Sequence, residues 1–446
     1  MKIIIVGAGE VGLNLAEKLT QEDHEVVVIE KDEKVIQRVS DSINALFLHG
    51  SGTSIEVLEE AGIKNCDIFI AATNFYEVNL ISCFISSRYN IPHIIARLNK
   101  QELPEQNYKQ LGLTKIINTN TVVVDEILNL ILYEGAQEFI QFEKGKVLLF
   151  GIIIDKNNPF LNKSLIELNQ YRKKIPFLIA CIKRDGQVII PKGYDKILLN
   201  DHVIIITIGD YLPLIKRIFL KKSTKSSKKI FILGASKIGI ELAKRLENLK
   251  NYNVIIADKN YQKCLMLNEI LSKSLILNLD GLDVNMLETE QLTDVDVFIS
   301  ATKNDEINIV TSTIQKKFGA KKTIAIIRKS GYSKFINAFG IDIVLSPRLI
   351  TASHILQYTR KGEIVKAVPI LEELAEIIEF KITKNNKNII NKSLSEIKFP
   401  SGAIISAIIR EDKAIIPSGT TVIKENDKLV ILSKSEIINK LQEIIQ

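Results

Sequence analysis

The sequence predicts an α/β protein built from two tandem copies of a doubly wound parallel-sheet domain, each followed by a small α+β module. Two observations support this prediction. Over residues 1–132, short runs rich in Val and Ile alternate with helical patterns, which is typical of a parallel sheet. Second, similar sequence segments recur at offsets of 226 to 231 residues. A register held over most of the chain indicates a tandem duplication.

The duplication is visible in several pairs of matching segments. These pairs are IIIVGAGEVG (3–12) with IFILGASKIG (230–239), DIFIAATNFYEVN (67–79) with DVFISATKNDEIN (296–308), and LNKSLIEL (161–168) with INKSLSEI (390–397). We therefore predict parallel-sheet domains at 1–135 and 230–362, and α+β modules at 136–220 and 363–446. Asp185-Gly186 and Glu411-Asp412 separate strand-like runs in the modules, as hairpin turns do.

A lysine- and serine-rich stretch, KKSTKSSKK (221–229), separates the two halves. It has no apolar residue to bury, so we predict a solvated, flexible linker. Contact with an anionic lipid surface is the alternative interpretation of this charge run.

Helical segments that are apolar on nearly every side close each parallel-sheet domain. They span residues 121–134 (TVVVDEILNLILYE) and 346–359. Because a helix that is apolar all round is buried on more than one side, these segments predict contacts with a second domain or subunit.

Composition and charge argue against several classes of protein. Five of the seven net positive charges correspond to the lysines of 221–229, and the two that remain are too few for a nucleic-acid-binding surface. The four cysteines include no CxxC pair, which argues against a disulfide framework or zinc ribbon and fits a reducing compartment. No apolar run approaches the length needed to cross a bilayer, and Glu10 interrupts any signal-peptide core.

A complete GxGxxG motif occupies residues 7–12, between a predicted strand (2–6) and an amphipathic helix. In this context the first glycine permits a tight turn, Gly9 lets a pyrophosphate approach the backbone, and Gly12 lets the helix pack closely on the strand. The motif therefore predicts a Rossmann-like, dinucleotide-binding sheet. Glycines needed only for packing are the alternative interpretation.

An acidic residue, Glu30, follows Gly12 by 18 residues at the end of the second predicted strand. A carboxylate there can accept hydrogen bonds from both ribose hydroxyls and would repel a 2′-phosphate. We therefore expect NAD or NADH rather than the phosphorylated cofactor. An ordinary surface acid is the alternative.

The second copy departs from this motif at its middle glycine. It reads Gly234-Ala235-Ser236-Lys237-Ile238-Gly239, and Asp258 follows at the position of Glu30. The Cβ of Ser236 narrows the approach to the pyrophosphate, although its hydroxyl and Lys237 could contact a phosphate. Two interpretations stay open, a second nucleotide site and a decayed copy kept for its fold.

Loops at the carboxyl edge of each sheet supply the other candidate residues, because ligands bind at that edge in doubly wound sheets. The arginines at the end of the fifth strand could neutralise a phosphate, with surface charges as the alternative. The predicted nucleotide-binding residues are Gly7, Ala8, Gly9, Glu10, Val11, Gly12, Glu30, Ser51, Thr73, Asn74 and Arg97 in the first copy, and Gly234, Ala235, Ser236, Lys237, Ile238, Gly239, Asp258, Asp280, Thr302 and Arg328 in the second.

Catalytic motifs are missing from the sequence. The five histidines have no pairing and none recurs in the other copy, and no HExxH, GxSxG or GxxxxGK[ST] pattern occurs. A nucleotide-binding sheet without a proton donor indicates a sensor rather than an enzyme. The rival from another class is a cytosolic NAD-dependent oxidoreductase.

The order of parts resembles the TrkA family of regulatory subunits of bacterial Trk potassium-uptake systems, and each half looks like an RCK (KTN) domain. The resemblance covers essentially the whole chain. It depends on the VGAGEVG opening, the AATN…EVN stretch, the ARL strand end and the two NKSL segments. Ser236 departs from the family's pattern, as does Ser51, where the family commonly has an acid.

The resemblance implies a cytoplasmic homo-oligomeric ring that docks on a membrane potassium-translocating subunit and changes shape with bound nucleotide. It also implies NAD(H) as the ligand, with ATP and ADP as competing ligands. The chain would then lie on the inner face of the cell membrane through that partner. Regulation of another potassium channel or efflux system is the nearest alternative.

Overall fold

The computed structural model describes the chain except residues 99–107, 109, 133–135, 173–174, 220–226, 330, 333–338, 357, 359–363, 372–373 and 446. By contacts the chain forms two compact units. The parallel-sheet unit comprises residues 1–128 and 225–355, and the antiparallel-sheet unit comprises residues 129–224 and 356–446. Each unit therefore contains one part from each copy.

The first copy of the parallel-sheet domain alternates strands and helices. Its elements are β1 (Lys2–Val6), α1 (Glu10–Gln21), β2 (Glu25–Glu30), α2 (Glu33–Val39), β3 (Leu46–His49), α3 (Ile55–Glu60), β4 (Ile68–Ala71), α4 (Tyr76–Ser86), β5 (His93–Leu98), β6 (Lys115–Asn118) and α5 (Thr119–Leu132). The strand order is β3-β2-β1-β4-β5-β6, with parallel pairing. The order reverses between β1 and β4, so a crevice forms at their carboxyl ends.

The first α+β module follows with an antiparallel sheet. Its elements are β7 (Ala136–Phe142), β8 (Val147–Ile153), α6 (Asn169–Arg172), β9 (Phe177–Arg184), β10 (Gln187–Ile189), β11 (His202–Ile208) and α7 (Leu212–Phe219), in the strand order β10-β9-β11-β8-β7. Asp185 and Gly186 connect β9 to β10 with φ of +50° and +76°. Two positive φ values suit a tight hairpin turn, so the hairpin prediction is confirmed.

The second copy repeats the architecture. Its elements are β12 (Lys228–Leu233), α8 (Lys237–Leu246), β13 (Tyr252–Ala257), α9 (Tyr261–Ile270), β14 (Leu275–Leu277), α10 (Val284–Thr289), β15 (Val297–Ser300), α11 (Asp305–Lys317), β16 (Lys322–Ile326), β17 (Ile343–Leu345) and α12 (Pro347–Leu356). The strand order β14-β13-β12-β15-β16-β17 matches the first sheet. The predicted doubly wound fold is confirmed in both copies.

The second module closes the chain with the same sheet as the first. Its elements are β18 (Ile364–Ile370), β19 (Ala375–Lys381), β20 (Ala403–Arg410), β21 (Lys413–Ile415), β22 (Lys428–Lys434) and α13 (Ile438–Ile445), in the order β18-β19-β22-β20-β21. Glu411 and Asp412 form the predicted hairpin turn, with φ of +45° and +69°.

The two module sheets share one apolar core in the antiparallel-sheet unit. In β11, Ile204 and Ile206 face the core that both modules share, whereas Val203 and Ile205 face a core within the first module. Because the strand is buried on both faces, its sequence is a continuous apolar run rather than an alternating one. In β22, Val430 and Leu432 contribute to the shared core and Leu429 and Ile431 to the second module's own core.

The boundary between the predicted linker and the second parallel sheet differs from the sequence prediction. Strand β12 begins at Lys228, which pairs with Tyr252, so Lys228 and Lys229 belong to the sheet and not to the predicted linker. Lys229 pairs in the same way with Asn253, the next residue of β13. Most of the predicted linker, residues 221–226, lies outside the described residues.

The predicted apolar helices begin at different residues from those expected. Helix α5 begins at Thr119, two residues before the predicted segment, and residues 133–134 of that segment lie outside the described residues. Helix α12 begins at Pro347, as proline at the first helical position favours, and ends at Leu356. Within the described residues, no helix has both the length and the apolar character that crossing a membrane requires.

Candidate functional site

The glycine loop of the first copy lies at the carboxyl end of β1, beside the point where the strand order reverses. Gly7 has a φ of +103°, a conformation that residues with a Cβ rarely adopt, and its N–H donates to Ile29 O at 2.8 Å. A Cβ on Gly12 would overlap the carbonyl oxygen of Gly7. Both glycines are therefore required for the turn itself, with or without a ligand.

Gly9 is the glycine that the fold does not require. Its φ of −73° suits any residue, and a Cβ added there would meet no atom within 4 Å. It is the N-cap of α1, and no side chain caps that helix. The N–H groups of the first turn therefore face open space with a partial positive charge, which suits a phosphate.

The carboxylate of Glu30 closes this loop at the end of β2. Oε2 accepts from Ala8 N–H at 2.6 Å, and Oε1 accepts from the N–H groups of Lys31 and Asp32 at 2.8 and 3.0 Å. Among the described residues only main-chain donors contact it. Three of its roughly four acceptor positions are filled, so one position on Oε2 remains for a ribose hydroxyl rather than the two contacts expected from sequence.

Thr73 lies against the glycine loop and is held by a buried amide that the sequence predictions missed. Its N–H and its hydroxyl both donate to Asn79 Oδ1, at 3.0 and 2.6 Å, and Asn79 Nδ2 donates to Arg97 O at 2.8 Å. Asn79 is fully buried. The second copy repeats this arrangement with Asn308 and Thr302. The matching EVN and EIN segments contained this signal.

Arg97, the penultimate residue of β5, places a cation at the same edge. Its Nη1 donates to Asn74 Oδ1 at 3.3 Å and to Ala72 O at 3.4 Å, and its Nε donates to Thr119 Oγ1 at 3.2 Å. Burial lowers the pKa of this guanidinium, which nevertheless remains charged at neutral pH. Within the described ranges no carboxylate pairs with it, so it can neutralise a phosphate.

The loop after β3 also lies at the carboxyl edge of the first sheet. Ser51 Oγ and Thr53 Oγ1 are 2.8 Å apart. A Cβ on Gly52 would overlap the side chain of Val6, the last residue of β1, so this loop passes directly over the central strand. The structure thus brings Ser51 to the same edge of the sheet as the glycine loop.

In the second copy a serine of the glycine loop caps the helix that follows it. Gly234 keeps the turn, with a φ of +109°, and a Cβ on Gly239 would overlap Gly234 O. Ser236 is the N-cap of α8, and its Oγ accepts from Gly239 N–H at 3.3 Å. One main-chain donor that is open in the first copy is therefore already bonded here.

Asp258, the acidic residue of the second copy, forms an ion pair with Lys263. Asp258 Oδ2 accepts from Ala235 N–H at 2.8 Å and from Lys263 Nζ at 2.9 Å, and Oδ1 accepts from Asn260 N–H at 2.9 Å. Burial opposes ionisation of this carboxyl, but Lys263 and the N–H donors outweigh it and lower its pKa. The first copy has Val35 at the position of Lys263.

Arg328 does not occupy the position of Arg97 that the sequence comparison predicted for it, because Asn79 donates to the carbonyl of Arg97 and the matching Asn308 donates to the carbonyl of Ile326. Arg328 follows β16, and its charge is neutralised. Arg328 Nη1 lies 3.4 Å from Asp305 Oδ1, and Oδ2 of this buried carboxylate accepts from the N–H groups of Arg328 and Lys329 at 2.9 and 2.8 Å. The first copy has Tyr76 in place of Asp305. The two copies therefore share a backbone but differ in the charge that they offer a ligand.

A cavity of about 300 Å³ lies at the carboxyl edge of the second sheet. Of the predicted residues it brings together Gly234, Ser236, Asp258, Asp280 and Thr302. Ala235, Ile238 and Gly239 are buried in the loop and helix behind it, Lys237 is exposed at the start of α8, and Arg328 donates to the carbonyl of Thr302.

Two contacts connect the first site to the second copy within the parallel-sheet unit. Glu10, in the glycine loop, forms an ion pair with Arg348 of α12. Thr119, which accepts from Arg97, also accepts from Thr351 Oγ1 at 3.2 Å. The apolar helices α5 and α12 are therefore in contact with each other, and the sequence predictions did not include Arg348 or Thr351.

The chemistry of the first site fits a dinucleotide. It combines an uncapped helix N-terminus, space above Gly9, a carboxylate acceptor and an arginine without a carboxylate partner among the described residues. Across that same portion of the chain, no group of three or more His, Cys, Asp or Glu side chains could hold a metal ion.

Family models and full-length relatives match the chain. The TrkA-N domain model matches residues 3–119 and 230–347, and the TrkA-C domain model matches residues 149–220 and 377–446. The Trk system potassium uptake protein TrkA homolog 1 of Methanosarcina mazei is 30% identical over 453 residues, 99% of each chain. The TrkA protein of Haemophilus influenzae is 30% identical over 455 residues, covering 100% of this chain and 99% of its own.

Solved structures share the fold at lower identity. The GsuK RCK domain superposes with a TM-score of 0.64 at 17% identity, covering 100% of this chain and 94% of its own. The GsuK channel bound to NAD gives a TM-score of 0.65 at 17% identity, with 100% and 78% coverage. The family matches extend over most of the chain, and the full-length relatives match nearly all of it. The chain therefore belongs to the TrkA family, which the VGAGEVG opening, the AATN…EVN stretch, the ARL strand end and the two NKSL segments had predicted.

Proposed function

We propose that the chain is a nucleotide-sensing regulatory subunit of a Trk-type potassium uptake system. It binds NAD(H) at the first copy and gates a separate potassium-translocating subunit in the membrane. The observation that carries the proposal is the open loop of the first copy, where Gly9, Glu30 and Arg97 offer a dinucleotide its three complementary contacts. The names of the full-length relatives support the potassium-uptake role.

Each residue of the first site has a distinct task in this proposal. The N–H groups from Gly9 to Gly12 hold the diphosphate, and Arg97 balances its charge. Glu30 accepts one ribose hydroxyl on Oε2. Ala8 and Thr73 keep the loop in place, while Ser51 and Asn74 border the ligand. The GsuK channel, which shares the fold, was solved with NAD bound, and this supports NAD as the class of ligand.

Transmission of the signal uses the two contacts between the copies. A diphosphate bound at the loop attracts Arg97 and repels Glu10, so it acts on the Arg97–Thr119–Thr351 chain and on the Glu10–Arg348 ion pair. A ligand shifts a conformational equilibrium only through its different affinity for the two states. The nucleotide therefore favours the arrangement of α5 and α12 in which Arg97 meets the phosphate.

The proposal includes an assembly on the inner face of the cell membrane. The chain forms a homo-oligomeric ring that binds the translocating subunit, as closed symmetry is the rule for homo-oligomers. ATP and ADP compete with NAD(H) for the same loop, because both carry a diphosphate on an adenosine ribose.

Calorimetric titration of NAD, NADH, ATP and ADP, followed by potassium flux with the co-reconstituted membrane partner, tests the proposal. We expect nucleotide binding to the wild-type chain and a nucleotide-dependent change of flux. Absence of NAD and NADH binding would contradict the proposal. Sustained oxidation of NADH with carbonyl substrates would favour the oxidoreductase instead, and co-purification with a channel or efflux protein would assign a different transporter.

A further inference from the structure

The second copy presents an ammonium group where the first presents a carboxylate. Lys263 Nζ lies 2.9 Å from Asp258 Oδ2. This oxygen corresponds to Glu30 Oε2, which is free to accept a ribose hydroxyl in the first copy. One of the three Lys263 donors is used in this contact, and its side chain is 39% exposed and lines the cavity. At the ribose position a ligand therefore meets a cationic donor, not an anionic acceptor.

Of the other two lysines of this cavity, Lys303 distinguishes it from the first site, whereas Lys259 has a counterpart in Lys31. Lys259 and Lys303 line it beside Lys263, and within the described residues neither has a carboxylate partner. The first copy has a neutral residue, Asn74, at the position of Lys303. With three lysines and two aspartates in its lining, the cavity suits a ligand with more negative charge than NAD.

We propose that the second copy binds a dinucleotide that carries a phosphate on the 2′-oxygen of its adenosine ribose. The inference rests on the proposed function, because it requires that these sheet edges bind nucleotides. In dinucleotide-binding sheets an acid at the end of the second strand selects the free ribose, whereas a nearby cation accommodates the 2′-phosphate. Lys263, which Val35 replaces in the first copy, neutralises that acid and supplies the cation.

Ser236 and Arg328 explain why an unphosphorylated dinucleotide binds weakly here. The Ser236 hydroxyl accepts from Gly239 and keeps its own proton to donate, so the diphosphate gains one hydroxyl and loses one main-chain donor. Arg328 is already paired with Asp305. Selective affinity must therefore come from Lys263 at the ribose end.

Titration of the full chain with NADH and with NADPH, in the wild type and in Gly9→Thr, separates the two sites. In Gly9→Thr we expect NADH binding to be lost and NADPH binding to remain. Adding Lys263→Met should weaken NADPH binding about tenfold or more, as the loss of a charge-assisted hydrogen bond predicts. Lys250→Met, at the opposite edge of the same sheet, is the matched control and should change nothing. Val35→Lys in the first copy should in turn strengthen its NADPH binding.

Three outcomes would overturn the inference. In Gly9→Thr, these are no NADPH binding, NADH binding as tightly as NADPH, and unchanged NADPH affinity after Lys263→Met. The proposed function survives each of them if the wild-type chain binds NADH. It fails by itself if the wild-type chain binds neither NAD nor NADH. Should Lys263→Met not fold, Val35→Lys tests the same ammonium contact.

Discussion

Gly9 is the residue at which ligand binding and folding can be separated. Threonine caps a helix about as well as glycine, and the Cβ at this position meets no atom within 4 Å. We expect Gly9→Thr to keep the free energy of unfolding within about 0.5 kcal/mol of the wild type. Threonine has the hydroxyl that Ser236 has at this position in the second copy and adds a methyl group, which occupies the space of the diphosphate, so NADH binding in calorimetry should be lost.

Gly331→Thr is the matched control for this prediction, because Gly331 is exposed and its Cβ also meets no atom. It should leave both stability and NADH affinity unchanged. Normal NADH affinity in Gly9→Thr would show that the ligand does not lie on this loop.

Arg97 and Arg328 lie at the same edge of their sheets, although Ile326 and not Arg328 occupies the position of Arg97, and we expect different effects when each is replaced. Arg97→Met removes a charge-assisted contact to phosphate, worth about 1.5–3 kcal/mol, so NADH affinity should fall about 10- to 100-fold with little change in stability. Arg328→Met leaves the buried Asp305 without its guanidinium and should destabilise the fold by about 1–3 kcal/mol. Denaturant unfolding and calorimetry measure the two effects; equal effects in both variants would contradict the assignment.

At the scale of elements, the ion pair between the glycine loop and α12 is the candidate for signal transmission. Arg348→Met removes the contact with Glu10 without touching Gly9 or Glu30. NADH affinity should change less than about threefold, since a surface ion pair contributes under 1 kcal/mol, whereas the flux response to nucleotide should be lost.

A second ion pair between the copies, Arg245–Asp125, supplies the control for that experiment. It joins α8 to α5 at 2.5 Å and lies outside the loop. Arg245→Met should leave the flux response in place. If it abolished the response as Arg348→Met does, general loosening of the unit, and not the loop contact, would be the cause.

Each antiparallel module depends on one bidentate ion pair. Arg184 donates through Nε and Nη2 to the two oxygens of the fully buried Asp201, each at 2.7 Å, and Arg410 repeats the contact with Asp427. Arg184→Met should lower stability by about 2–4 kcal/mol, because the buried carboxylate loses its counter-charge. Lys64→Met, which breaks the exposed pair with Glu59, should leave the melting temperature unchanged.

At the scale of the whole molecule, each compact unit is completed by both halves of the chain. Residues 1–220 alone would expose the face of Ile204, Ile206 and Leu149, which the second module covers. We expect this half-chain to self-associate into dimers at micromolar concentration, measured by sedimentation, whereas a polar substitution such as Ile206→Asn should prevent it. A stable monomeric half-chain would show that the shared core is dispensable.

The repeat, and the alternation of apolar strand-like runs with helical patterns, were sufficient to predict the fold. The strands of a parallel sheet covered on both faces are continuous runs of Val and Ile, which are easy to recognise in a sequence. The loop glycines were predictable for a different reason, because the turn itself requires Gly7 and Gly12. Side-chain pairing was not predictable. The Lys263–Asp258 contact and the Ser236 cap depend on rotamers, and Glu10–Arg348 joins residues more than 300 positions apart.

The shared core also has a consequence for synthesis on the ribosome. Val430 and Leu432 lie in the same core as Ile204 and Ile206 and are translated more than 200 residues later. At about 5–20 residues per second, that interval lasts roughly 10 to 45 seconds. During this time the nascent first module displays a bare β-surface, so chaperone capture of the emerging polypeptide should be strongest between completion of the first half and release of the last strand.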